Sequence, residues 1–305
     1  MNNIQTTFTI QDLELITGIK AHTIRIWEKR YDLLNPTRLG RNIRMYDLPD
    51  LQKILNISLL YKNNYKISKL SKYTDSQLAE EAKAIALTEF SNNYEINSLL
   101  ISMYTLDEEL FNEIYAHQIK SMGFTEIFIH TYLPLLNHIG LLWQTESIKP
   151  VHEHFISNLI YQKIVLNISA VSAPKKANKH VNILFLPEGE IHELGLLFLK
   201  YYLKQNGESV VYLGKSIPFE DLFYVNSQFK DITWMAYFMI DKTDEKKQLF
   251  ISNVEKLLMH TKNKCVIIGR MWGDFSLQNK NTQIIFKGGM EELVSINENA
   301  LEPLT

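Results

Sequence analysis

Apolar residues Ile10, Leu13, Leu15 and Ile16 recur at helical spacing behind Thr9 and Asp12, a pairing that forms a capping box, and Gly18 supplies the C-terminal cap. A second helix is predicted from about Ala21 to Arg30. Asn35, Pro36 and Gly40 then mark a loop, and Asp47 caps a longer helix that carries Pro49 in its first turn, where a missing N–H costs little. Helix, tight turn, helix, basic loop, helix is the outline of a winged helix-turn-helix.

Beyond residue 75 the helical period persists with few glycines, predicting helices at 78–90, 96–103, 107–123, 125–143 and 151–170. They form a bundle of the four-helix type. The polar, basic stretch 172–180 reads as an exposed linker. The period then changes: short apolar runs at 181–186, 209–213, 232–240, 265–268 and 282–286 alternate with helical stretches at 192–205, 219–229 and 245–260. Such alternation implies a parallel sheet covered on both faces, with ligands bound beyond the carboxyl ends of the strands. The expected organisation is therefore multidomain α and α/β: a DNA-binding domain at 1–75, a helical bundle at 76–171, a linker at 172–180 and an α/β domain at 181–305.

At 305 residues, with 46% hydrophobic and 22% charged positions, the chain suits two or three globular domains. A single cysteine, Cys265, excludes a disulfide framework and any zinc or iron–sulfur site built from cysteines. No apolar run approaches the roughly 18 residues of a membrane span, and Asp12 and Glu14 interrupt the place of a signal peptide, so a cytoplasmic protein is expected. Charge is divided unevenly. Residues 1–73 hold 12 Lys and Arg against 6 Asp and Glu, whereas 74–305 hold 20 against 28. The polyanion-binding part is therefore the amino-terminal one.

On the second helix His22, Arg25 and Lys29 fall at spacings of three and four, with Thr23 beside them, while Ile24 and Trp27 share a different face. Short polar and cationic side chains on one face are what a recognition helix needs in the major groove. Arg38, Arg41 and Arg44 recur every third residue in the following loop, where a wing would meet the backbone. Phe8-Thr-Ile, Thr17-Gly18-Ile19, Thr23-Ile-Arg25-Ile-Trp27-Glu28-Lys-Arg30, Leu34-Asn-Pro36, Arg38 and Arg44-Met-Tyr46-Asp47 resemble successive landmarks of the MerR-type winged helix-turn-helix regulators. The resemblance implies that Arg25 and the wing arginines contact double-stranded promoter DNA, that Trp27 packs inside, and that the protein acts as a homo-oligomer, dimer or tetramer, with RNA polymerase as a further partner.

Gly189-Glu190-Ile191-His192-Glu193-Leu194-Gly195 follows the first strand of the α/β domain directly. A histidine there can offer one ring nitrogen to a metal while Glu190 accepts the other ring N–H, and Gly195 lets a helix backbone approach a bulky ligand. Glu-x-His-x-x-Gly at this place resembles the flavodoxin-like, Rossmann-type cobalamin-binding domains, in which that histidine takes the lower face of cobalt. Upstream, Trp143 followed after nine residues by Glu153-His154 resembles the helical cap of the cobalamin-dependent MerR-type photoreceptor regulators of carotenoid genes. The resemblance implies adenosylcobalamin or a related corrinoid between bundle and α/β domain, with His192 on cobalt, Trp143, Glu153 and His154 above it, and Glu190, Gly195 and Gly269 below.

Three positions depart from that pattern. Gln144 follows Trp143 where light-sensing members carry a histidine. The third strand lacks the family's serine, and Gly269 is followed by Arg270, Met271 and Trp272, bulk that can fill the slot for the nucleotide tail. A corrinoid-controlled transcriptional regulator is the reading the pattern favours. A MerR-type regulator with a retuned or vestigial sensor is the alternative, and a corrinoid carrier of a methyltransferase comes third. No phosphate loop, nucleophile elbow or catalytic carboxylate pair marks an enzyme. His138, His152, His180 and His260 have no spacing that suggests zinc.

Overall fold

The computed structural model describes residues 7–39, 43–88, 92–144, 148–172, 180–239, 242–273 and 281–299. Arg41 and residues 173–179 of the predicted linker lie outside them, and so do the side chains of Trp143 and Gln144. The chain divides into two compact units, Met1–Ile160 and Tyr161–Thr305.

In the first unit, α1 (Ile10–Thr17) starts at the Thr9/Asp12 capping box and stops at Gly18, whose φ of 73° is a left-handed conformation that suits glycine. The turn leads into α2 (Ala21–Tyr31), which buries Ile24 and Trp27. A hairpin of β1 (Thr37–Leu39) and β2 (Ile43–Met45) pairs Arg38 with Arg44, and Phe8 adds a bridge to Tyr46 alongside it. Asp47 then caps α3 (Leu48–Lys62) through a second capping box with Asp50. The turn between α1 and α2 is tied to α3, because the Thr17 carbonyl accepts from Ser58 Oγ at 3.1 Å and from Lys62 Nζ at 3.0 Å.

A short α4 (Ile67–Leu70) leads to the bundle helices α5 (Asp75–Thr88), α6 (Asn92–Thr105), α7 (Glu108–Ser121), α8 (Phe124–Ile127), α9 (Leu133–Gln144) and α10 (Pro150–Ala170). The one helix predicted at 125–143 is interrupted by a π-helical turn, Phe128–Tyr132, in which the Leu133 N–H reaches the Phe128 carbonyl. Pro134 follows at once. It has no N–H to donate and its ring crowds the preceding turn, so the widened turn relieves a helix that could not continue in regular register.

The second unit is a five-stranded parallel sheet in the order β4-β3-β5-β6-β7, formed by β3 (His180–Pro187), β4 (Val210–Ile217), β5 (Asp231–Tyr237), β6 (Lys264–Ile268) and β7 (Ile284–Lys287). This is the flavodoxin-like order. Its helices are α11 (Leu194–Gln205), α12 (Phe219–Gln228), α13 (Asp244–Leu258) and α14 (Met290–Asn299). The last of these and a 3-10 turn at Arg270–Trp272 were not among the predicted elements. Because β3 is followed in space by β4 on one side and β5 on the other, the strand order reverses between β3 and β5, the place where sheets of this order have their ligand crevice at the carboxyl ends.

Two boundaries differ from the sequence pattern, and Glu190 touches the backbone beside each. The predicted strand 232–240 ends at Tyr237, and the predicted helix 192–205 begins at Leu194. Past Tyr237 the Met239 N–H is given to Glu190 at 3.1 Å, and ahead of Leu194 the His192 N–H is given to the same carboxylate at 3.2 Å.

Candidate functional site

On the head, His22, Arg25 and Lys29 are exposed along α2 and Thr23 is half-buried, while Trp27 packs inside, edge-on to Tyr61 at 5.0 Å. Arg38 projects from the hairpin into solvent. Its cross-strand neighbour Arg44 does not: Arg44 Nε donates to Glu28 Oε2 at 3.1 Å, and that carboxylate is only 9% exposed. The Tyr46 hydroxyl donates to the other oxygen of Glu28, and burial followed by this bond raises its pKa. Wing and recognition helix are thereby locked to one carboxylate.

Sequence reasoning passed over a further basic group. Lys66, Lys69 and Lys72 line a surface cleft of about 510 Å³ with Asn63, Asn64, Tyr65 and Ser68. Lys69 sits over the Tyr65 and Tyr73 rings at 5.3 and 5.6 Å. Their spacing of three residues was the available signal.

At the crevice of the second unit, the loop leaving β3 turns Glu190 inward, and its side chain is 0% exposed. A carboxylate stays ionised there only if its oxygens are satisfied. Oε1 accepts from Ile191 N at 3.0 Å, His192 N at 3.2 Å and His192 Nδ1 at 2.5 Å, and Oε2 accepts from Met239 N at 3.1 Å. The His192 side chain is 45% exposed. If Nδ1 carries its proton toward the carboxylate, Nε2 is the nitrogen that would offer a lone pair to a metal. Among the described residues no three His, Cys, Asp or Glu converge on one point. A half-exposed imidazole held by a buried carboxylate is a donor that would suit a corrinoid cobalt.

The two glycines expected to admit the ligand face protein. A Cβ on Gly195 would lie 2.9 Å from Tyr237 Cζ, so the close approach made possible there is that of the Tyr237 ring. Burial, followed by the charge of Glu190, pushes the Tyr237 hydroxyl up to about 12. Gly269 has φ of 155°, and a Cβ on it would stand 2.8 Å from the Phe238 carbonyl. Beyond it, Arg270 points outward with a 75% exposed side chain, whereas Trp272 is buried against Phe238 at 5.1 Å, Phe250 at 6.0 Å and Phe286 at 5.9 Å. This aromatic layer belongs to the core between the sheet and its covering helices.

On α10, Glu153 and His154 occupy the first turns, joined at 2.6 Å through Glu153 Oε2 and His154 Nδ1, and Ser157 Oγ donates to Glu153 Oε1 at 2.7 Å. His154 is 70% exposed. Trp143 belongs to α9, with its side chain outside the described residues.

Comparison with known proteins matches two segments of the chain. Residues 8–77 match the model of the MerR HTH family regulatory protein, and residues 95–166 match that of the B12 binding domain. The chain thus joins a MerR-type DNA-binding head to a B12-binding region and a Rossmann-like parallel sheet. It is similar to the HTH-type transcriptional repressor CarH of Myxococcus xanthus, 26% identical over 71% of this chain and 73% of that protein. It is also similar to the repressor CarA of the same organism, 27% identical over 70% and 69%. The structure of the Methanosarcina barkeri monomethylamine corrinoid protein shares the fold, with a TM-score of 0.53 at 15% identity over 68% of this chain and 95% of that one.

Proposed function

We propose that the protein is a sequence-specific transcriptional regulator of the MerR type, acting as a repressor in the cytoplasm, whose assembly and promoter binding are set by a corrinoid of the adenosylcobalamin class. The observation that carries the sensing half is the buried Glu190 holding the His192 ring by Nδ1. When bound, the corrinoid would supply a cobalt able to accept a nitrogen donor from the protein. His192 would hold it through Nε2 with the tautomer fixed by Glu190, and Trp143, Glu153 and His154 are proposed as the remaining contacts of the ligand. His22, Thr23, Arg25 and Lys29 read the major groove, Arg38 and Arg41 meet the backbone, and Arg44 acts through Glu28. Control requires that the ligand bind one assembly state better than another. Homo-oligomerisation, dimer or tetramer, places two heads on a symmetric site, and RNA polymerase is the machinery such a head would compete with or direct.

The test is an absorbance spectrum of the purified protein with adenosylcobalamin, before and after illumination, alongside its affinity for promoter DNA. Bound corrinoid with an altered DNA affinity supports the reading. A protein that stays colourless after reconstitution removes its sensing half. A second reading, a MerR-type regulator with a retuned sensor, is favoured by Trp272, whose burial among Phe238, Phe250 and Phe286 leaves aromatic packing where a nucleotide tail would otherwise be expected. Selective binding of a tail-less corrinoid would support it. An enzymatic role as a corrinoid carrier rests on shared fold alone.

A further inference from the structure

The ring of His152 lies edge-on to Tyr104 at 5.4 Å, and Tyr104 lies edge-on to Phe8 at 4.9 Å. Phe8 and Tyr46 exchange two backbone hydrogen bonds, at 2.7 and 2.8 Å, and the Tyr46 hydroxyl reaches Glu28, which also holds Arg44. We propose that Tyr104 is a positioning residue through which the first turn of α10 sets the geometry of wing and recognition helix. This rests on the function proposed above for the head and for Glu153 and His154.

Each member of the series is enclosed. His152 is 2% exposed, Tyr104 and Tyr46 are 0%, and Phe8 is 1%. Close-packed side chains cannot absorb a displacement as solvent-facing ones do, and a shift at one end is carried to the next contact or stops folding of the pair. On α10 the direction is also right: His152 points inward, and the two residues after it are the half-buried Glu153, joined to Ser157, and the exposed His154 paired with it. At the far end Glu28 sits one helical turn beyond Arg25, so its grip on Arg44 and Tyr46 determines where Arg25 stands relative to Arg38.

The Tyr104 hydroxyl takes no part in the series. It is buried with no hydrogen-bond partner among the described residues, and burial raises its pKa. A phenylalanine would make both ring contacts without that desolvation cost, so the fold does not need the hydroxyl. What the series needs is the ring.

The experiment uses the full-length protein, a duplex it selects from random-sequence DNA, and Tyr104→Leu, His152→Leu and Tyr104→Phe. Two readouts are taken: amide exchange at Phe8 and Tyr46 without ligand, and the ratio of duplex affinities with and without adenosylcobalamin. Tyr104→Leu and His152→Leu, folded by circular dichroism, speed exchange at both amides and move the affinity ratio toward one, each by about tenfold, a common size for coupling between sites. Tyr104→Phe stays within about twofold of the parent. Wild-type exchange and an unchanged ratio in either folded leucine variant would overturn the proposal, and His152→Leu, remote from the head, decides it if Tyr104→Leu does not fold. A wild-type protein whose DNA affinity ignores the corrinoid would sink the sensing reading instead, while the exchange readout would still judge the relay.

Discussion

Glu190 accepts from His192 Nδ1 at 2.5 Å and from the Met239 backbone at 3.1 Å, so a single buried carboxylate joins the loops that leave β3 and β5. It spans the point where strand order reverses. Orientation of the imidazole and closure of the crevice therefore depend on the same two oxygens.

Glu190→Gln replaces one acceptor oxygen by an NH₂ group facing backbone donors. Hydrogen bonds to a buried charge are worth about 1.5–3 kcal/mol, and the substitution is expected to destabilise the second unit by about that much. A partner that orients a metal-bound histidine typically contributes about 10–100-fold in affinity, and corrinoid binding should fall accordingly. Urea denaturation and an absorbance titration measure the two effects separately. Equal corrinoid affinity in the variant would mean that the ring is positioned by something else.

Gly195→Ala is expected to destabilise the protein without any ligand, because its Cβ would stand 2.9 Å from Tyr237 Cζ. Overpacking of this kind costs about 1–3 kcal/mol, and Tyr237→Leu should restore most of it in the double variant. If Gly195 made room only for a ligand, the urea midpoint of the free protein would not move and only corrinoid affinity would suffer.

The helices of the head were legible because their signals are local: Thr9 with Asp12, Asp47 with Asp50 and Gly18 each act within a few residues. The strands of the sheet were legible from apolar runs, and the Glu190–His192 pair from two positions in a loop. What could not be read depends on the tertiary fold. Glu28 and Tyr46 are 18 residues apart, and nothing in the spacing of Arg44 distinguishes a side chain bonded to Glu28 from one offered to DNA. Likewise Gly195 was assigned to a ligand because the neighbour that needs the space, Tyr237, comes from another strand. The π turn before Pro134 fell inside an apolar periodic stretch that a regular helix would have fitted equally well.

The different settings of Arg25, Arg38 and Arg44 divide their effects on DNA binding. Arg25→Ala should cost about 1–3 kcal/mol and relax sequence preference at one position, as a base contact does. Arg38→Ala should weaken all sequences alike and lower the salt slope by about one. Arg44→Ala should release Glu28, so its effect should be non-additive with Glu28→Gln by about 0.5–3 kcal/mol. Binding isotherms at several salt concentrations separate the three, and additivity of the last pair would show that Arg44 meets DNA on its own account.

His138 and His152 both titrate below the ordinary histidine value, held down first by burial and then by a nearby lysine, Lys62 for the former and Lys149 for the latter. An unfolded histidine protonates near pH 6.5, before either folded one does. Between the unfolded value and the lowered folded values the unfolded chain binds more protons, so stability is complete above about pH 6.5 and is lost as the pH falls through that window. His152 has a second stake in remaining neutral, since its Nδ1 accepts the Lys149 N–H at 3.3 Å at the start of α10, and protonation there would abolish that bond. The urea midpoint of the wild type is therefore expected to drop between neutral pH and pH 5, and His138→Gln with His152→Gln should flatten the decline. A midpoint that falls just as steeply in the double variant would place the acid sensitivity on other groups.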